Sequence, residues 1–299
     1  MASPAFVLAI PGFFKSSLDC FQYVQFGRAF HQDFAFCVAK LQAAEMEFTR
    51  WGEAMGVLDE NAEAASRFQQ GSWKESELLK AKIWLQTIQD AFETARRKSE
   101  QFRGLNLDDE DKKQDLEVLD ATQELEKSDK PLKGLIDGMR TIVIKRRRKL
   151  QETGRQTRWA LYRKTDFNSL IDSICEAVDT LVKLFPSVQP QHNALCAEEA
   201  GRFQPQAMQQ LLEVLGNHDQ LLRDALLNRA RAEGHTFTDV SVSGGMGTRF
   251  GDEHENNLDA KSASMTFTGL RIENSENTSA GHKYTFDKDV ALAMLKNRG

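Results

Sequence analysis

Two stretches near the C-terminal end of this chain repeat one another at a fixed spacing of thirty residues. Thr236-Phe237-Thr238 recurs as Thr266-Phe267-Thr268, Val240 and Val242 meet Leu270 and Ile272, and Thr248 and Gly251 meet Thr278 and Gly281. A constant offset constrains the fold strongly, because it lets like side chains lie above one another in stacked units. Inside each copy the grammar is that of strands: from His235 to Ser243, Phe237, Val240 and Val242 are interleaved with Thr and Ser. The copies cover 235–257 and 265–287, with 258–264 as linker. Segments this short bury no core of their own. Stacked, they would place like residues about 4.8 Å apart and offer two open ends to further copies, which is the logic of a self-templating β-solenoid. As an isolated monomer the same segment reads as disordered, or as loose hairpins. The expected core of the assembled state is Phe237, Val240, Val242, Gly251, Phe267, Leu270, Ile272 and Gly281.

Everything before Gly234 follows another pattern. All six prolines precede position 206, whereas eight of the 19 glycines fall in the last 66 residues. Apolar residues recur at helical spacing through Leu18, Phe21, Tyr23 and Val24, then Phe34, Cys37, Val38, Leu41 and Ala44, which predicts two helices over 13–55 broken at Gly27-Arg28. A third helix is expected from Ser72 or Ser76 to about Phe102, and a fourth carries Leu116, Leu119 and Leu125. A long helix starts at Pro131 and reaches about Leu150, extended or followed by Trp159 and Tyr162. Another begins at Asp166 or Asn168 and is stopped by Pro186. The last is expected from about Pro205 to Arg231. The chain is therefore read as an all-α body over 1–232 and a tail over 233–299.

A net charge of −5 argues against general nucleic-acid binding. The four cysteines (20, 37, 175 and 196) lie far apart without metal-ligand spacing, and read as reduced core thiols. Motifs for a P-loop, a nucleophile elbow, a zinc protease or a dinucleotide fold are lacking, and Gly244-Gly245-Met246-Gly247 has no Lys-Ser/Thr pair after it. Neither a cofactor nor a metal is expected, and no enzymatic activity. No run of about 18 apolar residues marks a constitutive membrane span.

Leu18-Asp-Cys-Phe-Gln-Tyr-Val-Gln-Phe-Gly-Arg-Ala-Phe30, followed by Arg50-Trp-Gly-Glu-Ala54, resembles the HeLo domain of the fungal heterokaryon-incompatibility prion proteins (HET-s/HET-S type). Trp159-Ala-Leu-Tyr162 and Leu184-Phe185-Pro186 match later landmarks of that domain in order, so the resemblance covers about residues 1–230. It implies a helical bundle with two amyloid-forming pseudo-repeats behind it. It also implies a cell-death executioner: folding of the tail unsettles the helical domain, whose N-terminal segment then enters and permeabilises membranes. The implied partners are further copies of the chain, a NOD-like receptor carrying a matching motif, and membrane lipids on activation, with no nucleic acid. The implied location is cytoplasmic when latent and the cell membrane when active. Gly251-Asp252 fits the family's repeat ending and Gly281-His282 departs from it, which points to a separate motif class.

Two segments are candidates for membrane work. The first is the apolar run with Phe6, Val7, Leu8, Ile10, Phe13, Phe14, Leu18 and Phe21, interrupted by Lys15 and Asp19. Positions 3–24 would cover the ~30 Å hydrocarbon core if helical. Each buried charge there would cost about 2.5–3.5 kcal/mol. The second is Lys145-Arg146-Arg147-Arg148-Lys149, a possible patch for anionic headgroups. Its alternatives are a solvated face balanced by the acidic stretch 108–129 and, ranked last, a nucleic-acid contact or nuclear signal. A non-lytic scaffold, in which the tail recruits the chain to assemblies, stays open beside the lytic function, as does a helical adaptor with a disordered tail.

Overall fold

The computed structural model describes residues 4–58, 73–107, 113–148, 150, 157–233 and eight short strands between 235 and 285. The chain divides into two compact units, Met1–Leu226 and Leu227–Gly299. Helices α1 (Pro4–Cys20), α2 (Phe34–Met55), α3 (Glu75–Asn106), α4 (Ala121–Glu126), α5 (Lys130–Arg147), α6 (Lys164–Leu184), α7 (Gln189–Arg202), α8 (Pro205–Leu215) and α9 (Gln220–Glu233) build the body. Helix α2 is the central element, in contact with α1, α5, α6, α7 and α8, while α3 packs mainly against α6 and α1. This explains why α2 buries residues around most of its circumference, from Phe34 to Met55. It ends at Gly56 with φ 75°, where Val57 N–H reaches back to Gly52 O at 3.0 Å, a Schellman closure that only a left-handed residue completes. Asp120 caps α4 by accepting from Thr122 and Gln123 N–H.

Four expectations need correction. The first concerns 13–55. Helix α1 stops at Cys20, a 3₁₀ turn covers Phe21–Tyr23, and Val24–Phe26 is a strand, β1. It pairs in parallel with β2 (Trp159–Leu161), which is therefore not helical. Gly27 N–H donates to Leu161 O at 2.7 Å and Leu119 N–H to Phe26 O at 2.8 Å. The alternation of Val24 and Phe26 is short enough to pass for part of a helical stripe, and partners more than 90 residues away decide otherwise. A Cβ on Gly27 would sit 2.6 Å from Tyr162 Cδ1, so the close approach of the two chains demands glycine.

Second, the final helix is two helices. Leucines at helical spacing run on across the break, but Gly216 (φ 56°) and Asp219 (φ 49°) turn the backbone left-handed between α8 and α9. Third, α6 stops before Pro186 as expected, but a helix the sequence reading did not include, α7, lies between Pro186 and Pro205, with Pro190 in its first turn, where a missing N–H is harmless. Fourth, the stretch around Leu116 and Leu125 holds a 3₁₀ turn, Lys113–Leu116, and the six-residue α4 in place of one helix.

The second unit contains strands β3 (His235–Thr238), β4 (Ser241–Ser243), β5 (Arg249–Phe250), β6 (Glu253–Glu255), β7 (Met265–Thr268), β8 (Arg271–Glu273), β9 (Ser279–Ala280) and β10 (Lys283–Thr285). They form four two-stranded parallel pairs, β3–β7, β4–β8, β5–β9 and β6–β10. Phe237 stands opposite Phe267, Val242 opposite Ile272 and His254 opposite Tyr284, so each pair keeps the thirty-residue offset of the sequence. Val240, Gly251, Leu270 and Gly281 lie outside the described residues.

Candidate functional site

The candidate site is the seat of α1. Proline and glycine at 11 and 12 weaken a helix, yet the apolar spacing Ile10, Phe14, Leu18 turns one stripe inward, and all three side chains are fully buried. Phe13 is half-buried, and Phe21, in the turn that follows, is buried with its ring edge-on to Phe92 at 4.9 Å. Phe6, Val7 and Leu8 lie in the first turns of α1, and their side chains lie outside the described set.

Phe14 is the anchor. Its ring centroid is 4.7 Å from that of Phe48 and 5.8 Å from that of Trp51. A Cβ added to Gly52 would stand 2.3 Å from Phe14 Cζ, so the ring rests on bare backbone. Polar contacts fix the depth of the helix in this seat. Ser17 Oγ lies 2.8 Å from Phe13 O and 2.9 Å from Leu85 O, and Gln89 Nε2 donates to both Phe13 O and Ser17 Oγ. Lys82 Nζ sits 5.0 Å from the Phe13 ring centroid.

The basic run does not form one exposed face in this fold. Lys145 and Arg148 are exposed, but Arg146 is buried and Arg147 half-buried, and Lys149 lies outside the described residues. Arg147 donates to Leu18 O and pairs with Glu45 at 2.6 Å and Asp19 at 3.7 Å. A cation over the last carbonyls of α1 satisfies orphan acceptors and favours the negative end of the helix dipole. Burial raises the Glu45 carboxyl even with Arg147 pulling it down. Arg146 pairs with Glu53 and Glu199, each at 2.6 Å. The charges that answer this run therefore come from α1, α2 and α7.

A second buried arginine continues the network. Arg50, 1% exposed, meets the Asp219 carboxylate in a fork of 2.8 and 2.7 Å, and its Nε faces the two oxygens of Glu199 at 3.1 and 2.9 Å. Burial works against its charge, but Asp219 and Glu199 outweigh that and hold the guanidinium well above its ordinary range. Arg50-Trp51-Gly52-Glu53 thus sends four consecutive residues to four places. Arg50 takes the α8–α9 turn and α7, Trp51 donates to Leu181 O at 3.2 Å, Gly52 seats Phe14, and Glu53 holds Arg146. Sequence reasoning took Arg50 only as part of the Arg50–Ala54 motif and passed over its partners Glu199 and Asp219, which lie 149 and 169 residues away.

Among the described residues, no His/Cys/Asp/Glu group is arranged to hold a metal, and no helix is long and apolar enough to cross a membrane. The four thiols are free; burial raises Cys20 and Cys37 to about 11, Cys196 to about 12 and Cys175 further still.

Comparison with known proteins agrees with this architecture. Heterokaryon incompatibility protein s of Podospora anserina is 28% identical over 226 residues, covering 75% of this chain and 73% of the relative. Heterokaryon incompatibility protein S of the same fungus matches equally. The solved HET-S N-terminal domain superposes with a TM-score of 0.60 at 25% identity, over 73% of this chain and 92% of that one. A doubly substituted HET-s N-terminal domain gives 0.61 at 26%, over 73% and 97%. The HeLo family model, described as prion-inhibition and propagation, matches residues 6–215, and the chain belongs to the HeLo family.

Proposed function

We propose that this HeLo protein is a latent membrane-permeabilising effector of heterokaryon incompatibility and fungal programmed cell death. In this reading residues 233–299 are an amyloid tail, templated into a β-solenoid by further copies or by a NOD-like receptor with a matching motif. The helical domain over 1–232 is cytoplasmic until then, and afterwards acts at the cell membrane. The observation that carries the proposal is the thirty-residue register: two copies stacked in parallel leave an unpaired edge above and below for the next chain. Phe237, Val242, Phe267 and Ile272, with Val240, Gly251, Leu270 and Gly281, are its core.

The linkage to α1 runs through α2. Asp219 stands at the start of α9, the helix that leads along the chain into the repeats. If templating unwinds α9, Arg50 loses its fork and remains a buried cation facing only Glu199. Breaking one side of such a pair costs about 3–5 kcal/mol, enough to loosen α2 and the Phe14 seat on it. Phe6, Val7, Leu8, Ile10, Phe13, Phe14, Leu18 and Phe21 then furnish the inserting surface. Lys145 and Arg148 would meet anionic headgroups at about 1 kcal/mol each, joined by Arg146 and Arg147 once their carboxylates withdraw, and Lys149 completes the run. No catalytic step and no cofactor enter this proposal.

One observation favours the second reading, a non-lytic scaffold that propagates amyloid. Helix α1 has 17 residues and includes Lys15 and Asp19. At ~1.5 Å per residue it measures about 26 Å, short of the ~30 Å core. Dye release from anionic liposomes separates the two. Full-length protein mixed with preformed 233–299 fibrils should release dye, and Val7→Asp or Ile10→Asp should abolish release without affecting seeding. Seeded fibrils without release would leave the scaffold.

A further inference from the structure

The α8–α9 turn closes, with α2 and α6, over a cleft that plays no part in the seat of α1. Two adjoining hollows of about 300 and 460 Å³ share Glu47, Cys175, Asn217, His218 and Asp219 in their walls. Each is large enough for a small organic molecule. Glu47 stands where they meet, 4% exposed, on the turn of α2 before Arg50. Arg50 is committed to Glu199 and Asp219, and among the described residues no donor hydrogen-bonds or ion-pairs with the Glu47 carboxyl. A buried carboxyl with unused lone pairs at the junction of two cavities calls for an occupant.

The walls indicate its charge. Asp172 and Glu213 line one hollow, Glu176 and Asp179 the other. The cations nearby are already engaged: Lys183 pairs with Asp179, and the Lys40 ammonium lies over the Phe36 ring, 5.1 Å from its centroid. His218 faces Asp172 at 3.6 Å. Burial first, then Asp219, Asp179 and Glu199, push the Glu47 carboxyl well above its ordinary range, and Arg50 only partly offsets them. The local potential is therefore negative, and a cation placed there would restore the ionised carboxylate. A metal ion does not fit, since no three ligating side chains converge among the described residues. An alkylammonium does: it donates up to three hydrogen bonds, and its methylenes suit the apolar stretch formed by Ala43, Ala44 and Cys175.

We infer that this cleft is a binding site for a linear di- or triamine, with one ammonium on Glu47 and the other toward Asp172 and Glu213. The site adjoins the Arg50–Asp219 fork, so an occupant steadies the turn that joins α8 to α9. The inference stands on the cleft alone and does not rest on the lytic reading.

Isothermal titration of the full-length chain with 1,4-diaminobutane and with spermidine tests it, at constant ionic strength and in two buffers of different ionisation enthalpy. The expected result is saturable one-to-one binding whose heat depends on the buffer, because Glu47 releases its proton as the ammonium arrives. Glu47→Gln, close in shape and uncharged, should weaken binding at least about tenfold, with unfolding monitored to show that the variant is folded. The double variant Asp172→Asn/Glu213→Gln should weaken the diamine independently. The absence of saturable heat up to millimolar amine overturns the inference, as does unchanged affinity in both variants.

Discussion

The Phe14 ring lies against the backbone of Gly52, where a Cβ would approach Cζ to 2.3 Å, and Phe48 and Trp51 flank the ring so that it has little room to withdraw. Helix α1 is thus held at a point where one methyl group matters.

Gly52→Ala should destabilise the helical domain by about 1–3 kcal/mol through overpacking, and Phe14→Ala by about 3–5 kcal/mol through a cavity. The double variant should cost less than the two together, since the truncated ring leaves space for the new methyl. Urea unfolding of the four proteins gives the coupling; strict additivity would mean that the ring does not rest on Gly52.

Asp219→Asn keeps a residue tolerant of positive φ and retains the oxygen that accepts from Leu222 N–H, but removes the charge facing Arg50. A loss of about 3–5 kcal/mol is expected, with earlier proteolysis of α9. Arg148→Ala, an exposed site in the neighbouring basic run, should stay within about 0.5 kcal/mol of the parent. If Asp219→Asn unfolds at the parent's urea midpoint, the fork does not tie the turn to α2.

Two buried groups set opposite pH limits. His192, 1% exposed, is pushed down to about 4 by burial and then by Arg50. The unfolded chain therefore takes up this proton first, and stability falls as pH drops from about 6.5 to about 4, by roughly 3 kcal/mol in all. Glu47 is raised, so the folded chain retains its proton, and the stability this gives at low pH is lost as pH climbs through the folded value. Urea midpoints across pH should lose the decline on acidification in His192→Gln and the decline on raising the pH in Glu47→Gln. Unaltered slopes would place the titrating groups elsewhere.

The register of the tail can be read by cross-linking. The segment 233–299 contains no cysteine. Val242→Cys with Ile272→Cys, which are partners across β4 and β8, should oxidise readily in seeded 233–299. Val242→Cys with Glu273→Cys, one position out, should oxidise far more slowly, because a one-residue slip turns the side chain to the opposite face. Equal yields would exclude the thirty-residue stack.

Much of this is legible in the sequence. The apolar spacing located α2, α3, α5 and α6 but only the C-terminal part of α1, and the constant offset located the partners of all four strand pairs, because both signals are local or strictly periodic. What escaped depends on distant chain. Val24–Phe26 becomes a strand only because Trp159–Leu161 runs beside it, and Asp219 is held left-handed opposite an arginine 169 residues earlier. Arginines in the run at 145–149 read as surface, since the sequence does not reveal that Glu53, Glu199 and Glu45 converge on two of them.

The small parallel pair of β1 and β2 has a bearing on how far α1 can travel. Phe26 is bonded on one side to Leu119, and Gly27 to Leu161, so this crossing is fastened independently of the Phe14 seat. If α1 swings outward while the crossing stays closed, the movable arm consists of the 17 residues of α1 and the 3 of the turn after it. Fully helical, that arm measures about 30 Å, the thickness of a bilayer's hydrocarbon core. The strand pair is then a tether at the root of that arm, leaving Val24 at the water's edge.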